Sequence, residues 1–501
     1  MIAIYNAKGI KEWDQYTIDQ KNIRSIELME QAAQAFCDHF LTLEVSKDTE
    51  INIFCGPGNN GGDGYAIARL LRQASYPINI FKVNPELMQS PDCLANESLI
   101  KQKPDVRFTE LSPHQIDIEA QLKSFNGIAI DAIFGSGLSR PLESWYADLV
   151  DTINQLFPLI ISVDIPSGVF TDKPSNIAIE SNLCISFQSL KACMIHPSYG
   201  RFAEQTQIVD IGLSEKFENE NLIVAWQLQA SDLYALIRTR KRFSHKGDYG
   251  HALLVAGFQN MVGAGLLASK AALRSGIGKL SIHTNREAYL AMVTAQAELM
   301  YASDLNHLTK YQSMAIGPGL GTDKAAIEMV SSLLHGYFGK LCLDADALNI
   351  IAQEGWQDQI PAYTVLTPHP LEFKRLFGES ANGFVRLEKQ ISISKCHQIY
   401  IIYKDAYTIL TCPQGEVFVS TYGNPGMATG GSGDVLTGIL AAFMAQNDLS
   451  ILDACKASIL VHGIAGDLAS KKYSEPGMIP SDMTKLIPEV FNQYYGKISN
   501  S

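Results

Sequence analysis

INIFCGPGNNGGDGYAIARLLRQ, residues 51–73, joins two periodicities through a glycine-rich connection. INIFC is an apolar run that stops at a glycine, as a buried strand entering a loop does. YAIARLLRQ, residues 65–73, carries its apolar residues at helical spacing. Between them, Gly56-Pro57-Gly58-Asn59-Asn60-Gly61-Gly62-Asp63-Gly64 packs five glycines, two Asn and one Asp into nine positions. Glycine lets the backbone reach positive φ and approach a ligand closely. The N-terminus of the following helix offers free N–H groups and partial positive charge to an anion. A tight strand-to-helix turn is the simpler reading, but the crowding of polar side chains among the glycines favours a ligand site.

The alternation continues on both sides. Ile26, Met29, Ala32, Ala33 and Phe36 fall at helical spacing, and INIFKV (78–83), GIAIDAIFG (127–135) and LIISVDIPSG (159–168) read as further strands. Apolar strands alternating with helices predict an α/β fold, a parallel sheet covered on both faces, with ligands beyond the carboxyl ends of its strands. Asp131 opens DAIFGSGLSRP and Asp164 opens DIPSG at such ends. Taken singly, either reads equally well as a helix cap or a loop ion-pair partner. Together, Asn60, Asp131 and Ser167 offer the oxygen donors that suit a hard cation.

The pattern breaks over residues 212–246, which places a domain boundary near residue 222 and predicts domains 1–222 and 223–501. A second α/β series follows, from HALLVAG (251–257) through LDADALN (343–349) to EVFVS (416–420). NPGMATGGSGD (424–434) then runs into the apolar helix VLTGILAAF. This is an anion nest at a helix N-terminus, and it is not a P-loop, since GxxxxGK[ST] is absent. Asp434 reads as that helix's cap or as the general base for a hydroxyl attacking a phosphoryl group, and the preceding glycines favour the base. His245 and Lys246 read either as phosphate contacts or, with Arg238, Arg240, Lys241 and Arg242, as a solvated basic linker.

The formal net charge of -12 argues against nucleic acid as a partner while leaving nucleotides open. Nine scattered cysteines without a CxxC pair fit a reducing compartment. Neither a signal peptide nor a membrane span is recognisable, so a cytoplasmic protein is expected, and a homo-oligomer.

NNGGDG, DAIFGSGLSR and DIPSG together closely resemble the NAD(P)H-hydrate epimerase family over residues 1–220. The resemblance implies a Rossmann-like three-layer α/β/α domain. It implies substrate contacts at Asn59, Asn60, Gly61, Gly62 and Asp63, and again at Gly135, Ser136, Gly137, Leu138, Ser139, Arg140 and Pro141. K+ would be held by Asn60, Asp131 and Ser167. Asp164 matches the substrate-binding aspartate and is the candidate base. Tyr146 is a further contact, with Trp145 beside it as the alternative.

HKGDYGHALLVAG, GIGKLSIHT, IGPGLG, LDADALN, LTPHPLEF and NPGMATGGSGDVLTG, in that order, resemble the ribokinase-like ADP- or ATP-dependent NAD(P)H-hydrate dehydratases over about residues 225–495. Here the resemblance implies hydrated-cofactor contacts at Ala264, Gly319, His369 and Asp434. It implies nucleotide contacts at Lys404, Asp405, Ala406, Tyr407 and Thr408 and at Gly430, Gly431, Ser432 and Gly433, the last four also stabilising charge on the phosphoryl group. Leu371 departs from the family's usual Gly. The expected function is repair of hydrated NADH and NADPH by epimerisation and nucleotide-dependent dehydration, with ADP as co-substrate and Mg2+. The alternative is a vitamin-precursor kinase carrying a non-catalytic N-terminal binding module.

Overall fold

The computed structural model describes residues 1–103, 105–114, 117–142, 144–237 and 239–495. The chain divides into two compact units, one of Ala3–Val224 with Asn382–Phe384, the other of Met1–Ile2, Ala225–Ala381 and Val385 onward.

The first unit is built on β1 (Ile51–Cys55), β2 (Ile78–Val83), β3 (Arg107–Leu111), β4 (Ile128–Ala132), β5 (Leu159–Val163), β6 (Ser181–Phe187) and β7 (Ala203–Val209). They form one parallel sheet in the order β3-β2-β1-β4-β5-β6-β7. Side chains alternate between faces as a strand requires. Ile51, Ile53 and Cys55 join one core with Phe36, Phe40 and Tyr65, while Phe54 packs on the other face with Phe81 and Phe157. The strand order reverses between β1 and β4, and at such a switch point a crevice opens beyond the carboxyl ends. Of these strands, β3, β6 and β7 escape the sequence reading. Edge strand β3 is partly exposed, and β7 carries polar residues along an exposed face, so neither shows a continuous apolar run.

The second unit holds β8 (His251–Val255), β9 (Lys279–His283), β10 (Met300–Tyr301), β11 (Ser313–Ile316), β12 (Lys340–Leu343), β13 (Val365–Leu366), β14 (Tyr400–Tyr403), β15 (Thr408–Thr411) and β16 (Val417–Ser420). Their order is β16-β15-β14-β13-β12-β11-β8-β9-β10, parallel except for the antiparallel pairs β14–β15 and β15–β16. Helix Ser432–Ala445 is buried along nearly its whole length, which is why its sequence is apolar on every side. Helix Val262–Arg274 lies so close to it that a Cβ on Gly438 would stand 2.0 Å from the Ala268 carbonyl oxygen. His245 and Lys246 precede the amino end of β8, away from the carboxyl-end loops, so the structure gives them no place beside the nest. Arg238 lies outside the described residues. Among the described residues, no helix is long and apolar enough to cross a membrane.

Candidate functional site

In the first unit the polar side chains gather at the carboxyl ends of β1, β4, β5 and β6. The connection read as a loop is partly helix: the helix begins at Asn59, six residues before Tyr65. Glycine is a poor helix former, and here tertiary packing overrides that preference. A Cβ on Gly61 would sit 1.8 Å from the Gly56 carbonyl oxygen, and one on Gly56 2.0 Å from that of Ile133. The glycines therefore bring Asn59 to Asp63 down onto β4. Asn60 is buried, its Nδ2 has no hydrogen-bond partner among the described residues, and its Oδ1 lies 3.1 Å from where a Gly135 Cβ would stand.

Asp131 is fully buried and accepts four hydrogen bonds. Ser162 Oγ (2.9 Å) and the Ser167 amide (2.8 Å) donate to Oδ2, while Ser167 Oγ and the Ile133 amide donate to Oδ1. Burial raises its carboxyl above the ordinary range against the pull of those donors. Ser167 Oγ also accepts from the Phe134 amide at 2.8 Å, next to Gly135. Asn60, Asp131 and Ser167 thus converge around the Phe134–Gly135 backbone.

Asp164 holds a left-handed backbone, with φ of 66°. Its Oδ1 meets Lys191 Nζ at 2.8 Å, with Ser186 Oγ and the Phe187 amide at 3.4 and 3.2 Å. Lys191 is 2% exposed, and its ammonium also donates to Ser186 Oγ and to the Phe187 and Ser189 carbonyls. Two more carboxyls feel Asp164. Burial first and Asp164 second raise Asp14 to about 7, and burial with Asp164 and Asp14 raises Asp63 well above its usual range. Neither Lys191 nor Asp14 belongs to a glycine-rich motif, and nothing in the sequence reading singled them out.

The segment Gly135–Pro141 forms the outer wall, with Gly137, Ser139, Arg140 and Pro141 exposed and Gly135, Ser136 and Leu138 half-buried. Lys173 Nζ donates to the Ser139 carbonyl at 3.1 Å. Tyr146 and Trp145 part company here. The Tyr146 hydroxyl accepts from Asn84 Nδ2 at 2.9 Å, while the buried Trp145 indole N–H has no partner among the described residues.

In the second unit, β11, β12, β13 and β14 end at Gly317–Gly321, Asp344, Thr367–His369 and Lys404 respectively. Asp344 is 1% exposed; Lys404 Nζ donates to its Oδ1 at 2.8 Å and Thr437 Oγ1 to its Oδ2 at 2.6 Å. Burial pulls the Asp344 carboxyl upward, but Lys404 and the hydroxyl donors overcome it and hold it below the ordinary range. A Cβ on Gly433 would lie 3.2 Å from Lys404 Nζ, so the glycine nest and this ion pair share one place.

Gly431, at φ of 106°, is the N-cap of helix Ser432–Ala445, and no side chain caps it. The reading of Asp434 as that cap is therefore not what the structure contains: Asp434 lies within the first turn. Burial, then Asp344, raise the Asp434 carboxyl to about 7, with Lys404 opposing. Gly430 is exposed, Ser432 buried and Gly433 half-buried.

Gly319 has φ of 58°, and a Cβ there would meet Met261 at 2.7 Å and Ala264 at 3.2 Å, so Gly319 and Ala264 are neighbours. His369 caps helix Pro370–Phe377, its Nδ1 accepting from the Leu371 and Glu372 amides at 3.1 and 3.4 Å. Burial first and Lys404 second lower its pKa, which keeps the ring neutral beside the ion pair. Leu371 is half exposed. Asp405, Ala406, Tyr407 and Thr408 form the turn from β14 into β15, with Asp405 and Ala406 exposed.

Two side chains of helix Ile451–Tyr473 support the nest from behind. His462 Nε2 meets the Ser432 carbonyl at 2.9 Å, and Asp467 accepts from the Gly423 amide and from Asn424 Nδ2, both at 3.1 Å.

A family model described as NAD(P)H-hydrate dehydratase matches residues 252–489, and one described as YjeF-related protein N-terminus matches residues 25–193. A bifunctional NAD(P)H-hydrate repair enzyme of Coxiella burnetii is 30% identical, covering 96% of this chain and 98% of its own length. The protein of the same description from Thermofilum pendens is 30% identical over 97% of this chain and 96% of its own, and that of Escherichia coli 29% over 90% and 87%. Among solved structures, a ribokinase-like superfamily protein of Enterococcus faecalis is 26% identical with a TM-score of 0.51, covering 56% of this chain and 99% of that one.

Proposed function

The chain belongs to the family of bifunctional NAD(P)H-hydrate repair enzymes, and on that premise we propose a division of labour between its halves. Residues 1–222 interconvert the R and S forms of hydrated NADH and NADPH. Residues 223–501 dehydrate the S form to NAD(P)H with ADP, giving AMP and phosphate. The observation that carries the reading is Asp434, half-buried in the first helical turn behind a left-handed glycine, where Lys404 reaches Gly433.

Hydroxide is a poor leaving group, and phosphate is a good one. Asp434 takes the proton of the hydrate's hydroxyl, and that oxygen attacks the terminal phosphoryl group of ADP. The amides of Gly430, Gly431, Ser432 and Gly433 meet the charge on the transferring group at a helix N-terminus, and AMP leaves. The ring nitrogen's lone pair then expels phosphate, and loss of the neighbouring proton restores the dihydropyridine. Ala264, Gly319 and His369 hold the hydrated ring, while Lys404 to Thr408 hold the nucleotide. Asp344 and Asp346 are the acidic groups at that edge that would hold Mg2+, which would supply charge neutralisation for the nucleotide. Asn60, Asp131 and Ser167 would hold K+ through their oxygens, and the ion would supply positive charge beside the Phe134–Gly135 turn.

Because Asp434 acts as a base, its ionised form is the active one. With its carboxyl near 7, kcat/KM for dehydration is expected to fall about tenfold per pH unit below that point and to level off above it. A profile that stays flat through neutrality would remove Asp434 from the role. The function itself is tested by supplying mixed epimers of hydrated NADH with Mg2+, K+ and either ADP or ATP. Full recovery of NADH absorbance, with free phosphate and a preference for ADP, is expected. A phosphorylated product that accumulates without phosphate release would favour the vitamin-precursor kinase.

A further inference from the structure

Epimerising a carbinolamine needs two proton positions. A base removes the hydroxyl proton while the ring carbon–nitrogen bond opens, and an acid protonates the departing nitrogen. Asp164 supplies the first. Its Oδ1 is occupied by Lys191, the Phe187 amide and Ser186, while among the described residues nothing hydrogen-bonds to Oδ2. Lys191 does not supply the second, because its ammonium is buried and already bonded to four oxygens.

The helix Ala7–Lys21 borders the same crevice. Asn6 caps it, the Ala7 amide donates to Asp172 at 3.0 Å, and the Trp13 indole donates to the Ser214 carbonyl at 2.8 Å. Lys11 Nζ lies 3.9 Å from where a Cβ on Gly137 would stand, so this helix runs beside the outer loop of the substrate site. Asp14 is three residues further on and therefore shares the Lys11 face. The titratable groups around it are Asp164, the protonated Asp63 and Lys191 across the crevice and Lys11 on its own helix.

We propose that Asp14 is the acid partner of Asp164 in epimerisation, giving its proton to the ring nitrogen as Asp164 takes that of the hydroxyl. This rests on the epimerase reading above. Asp164 removes the O–H proton, the carbon–oxygen bond becomes a carbonyl, and the electron pair of the ring carbon–nitrogen bond passes to nitrogen. Nitrogen receives the Asp14 proton. The open-chain aldehyde turns its other face and nitrogen adds to it; the N–H proton returns to Asp14 and the Asp164 proton to oxygen, with no net change. Asp14, raised to about 7, both gives and takes a proton at neutral pH. Asp63, raised well above the usual range, keeps its proton and serves only to hold the substrate.

The test uses the full chain, in which the second half supplies its own control. With the R form of hydrated NADH as substrate and ADP present, D14N is expected to lower kcat of epimerisation about 10²-fold or more with KM little changed. Dehydration of the S form should proceed at the wild-type rate. D14E, which keeps a proton to give, should recover part of the loss. The Trp13–Phe217 stack beside Asp14 (centroids 6.2 Å apart, 15° between planes) provides a near-ultraviolet dichroism signal for the fold of each variant. If D14N drains the R form as fast as wild type, the role of Asp14 is overturned. If wild type leaves the R form unconsumed while dehydrating the S form, the epimerase reading itself falls, and this proposal with it.

Discussion

Asp434→Asn is expected to lower kcat/KM for dehydration about 10²- to 10⁴-fold while leaving the second unit folded. The two side chains are nearly isosteric, so the geometry of the nest survives. The helix cap is Gly431, so no cap is lost. Burial and the nearby Asp344 and Asp346 all oppose ionisation of Asp434, so a neutral amide relieves an unfavourable charge. Urea denaturation should therefore show unchanged or slightly raised stability beside the collapse in rate. A rate within a few-fold of wild type would show that the hydroxyl proton leaves by another route. The glycine nest would then be a binding feature alone.

Lys191→Met should produce the largest change in stability, a loss of about 3–5 kcal/mol, because removing one member of a buried ion pair strands the other. The Lys191 and Asp164 side chains are 2% and 12% exposed, and the Phe187 and Ser189 carbonyls also lose their donor. Epimerisation should fall with it, since the ammonium fixes Oδ1 of Asp164. The double variant Lys191→Met with Asp164→Asn separates the two effects. An uncharged amide at 164 should recover much of the stability and none of the activity, measured by urea denaturation and by consumption of the R form. A single variant as stable as wild type would mean that the pair is open to water in solution.

What could be read from the sequence was what glycine makes visible. Gly56 and Gly61 stand where a Cβ would collide with backbone, and Gly431 where the backbone turns left-handed, so the glycine-rich connection after β1 and the nest announce themselves. Asp131 and Asp164 could be placed because an apolar strand runs directly into each. The supporting side chains carry no such mark. Lys191 follows β6 after a short loop, Asp14 lies on an amphipathic helix, and His462 and Asp467 lie on a long helix more than twenty residues beyond the nest. Each acquires meaning only through a contact made in the folded chain. Helix periodicity also gave the wrong start for Asn59–Gln73, because local propensity penalises glycine where packing demands it.

The left-handed backbone of Asp164 bears on how this enzyme loses activity over generations. That conformation admits Asp, Asn and Gly far more readily than other residues, at a saving of roughly 1–2 kcal/mol over a β-branched or bulky side chain. Asn and Gly are each one nucleotide change from an aspartate codon, and both discard the carboxylate. Inheritance therefore has a short route from an epimerase to an inactive domain whose backbone at 164 is unstrained, and its cost falls on the buried Lys191 ammonium, which loses its carboxylate.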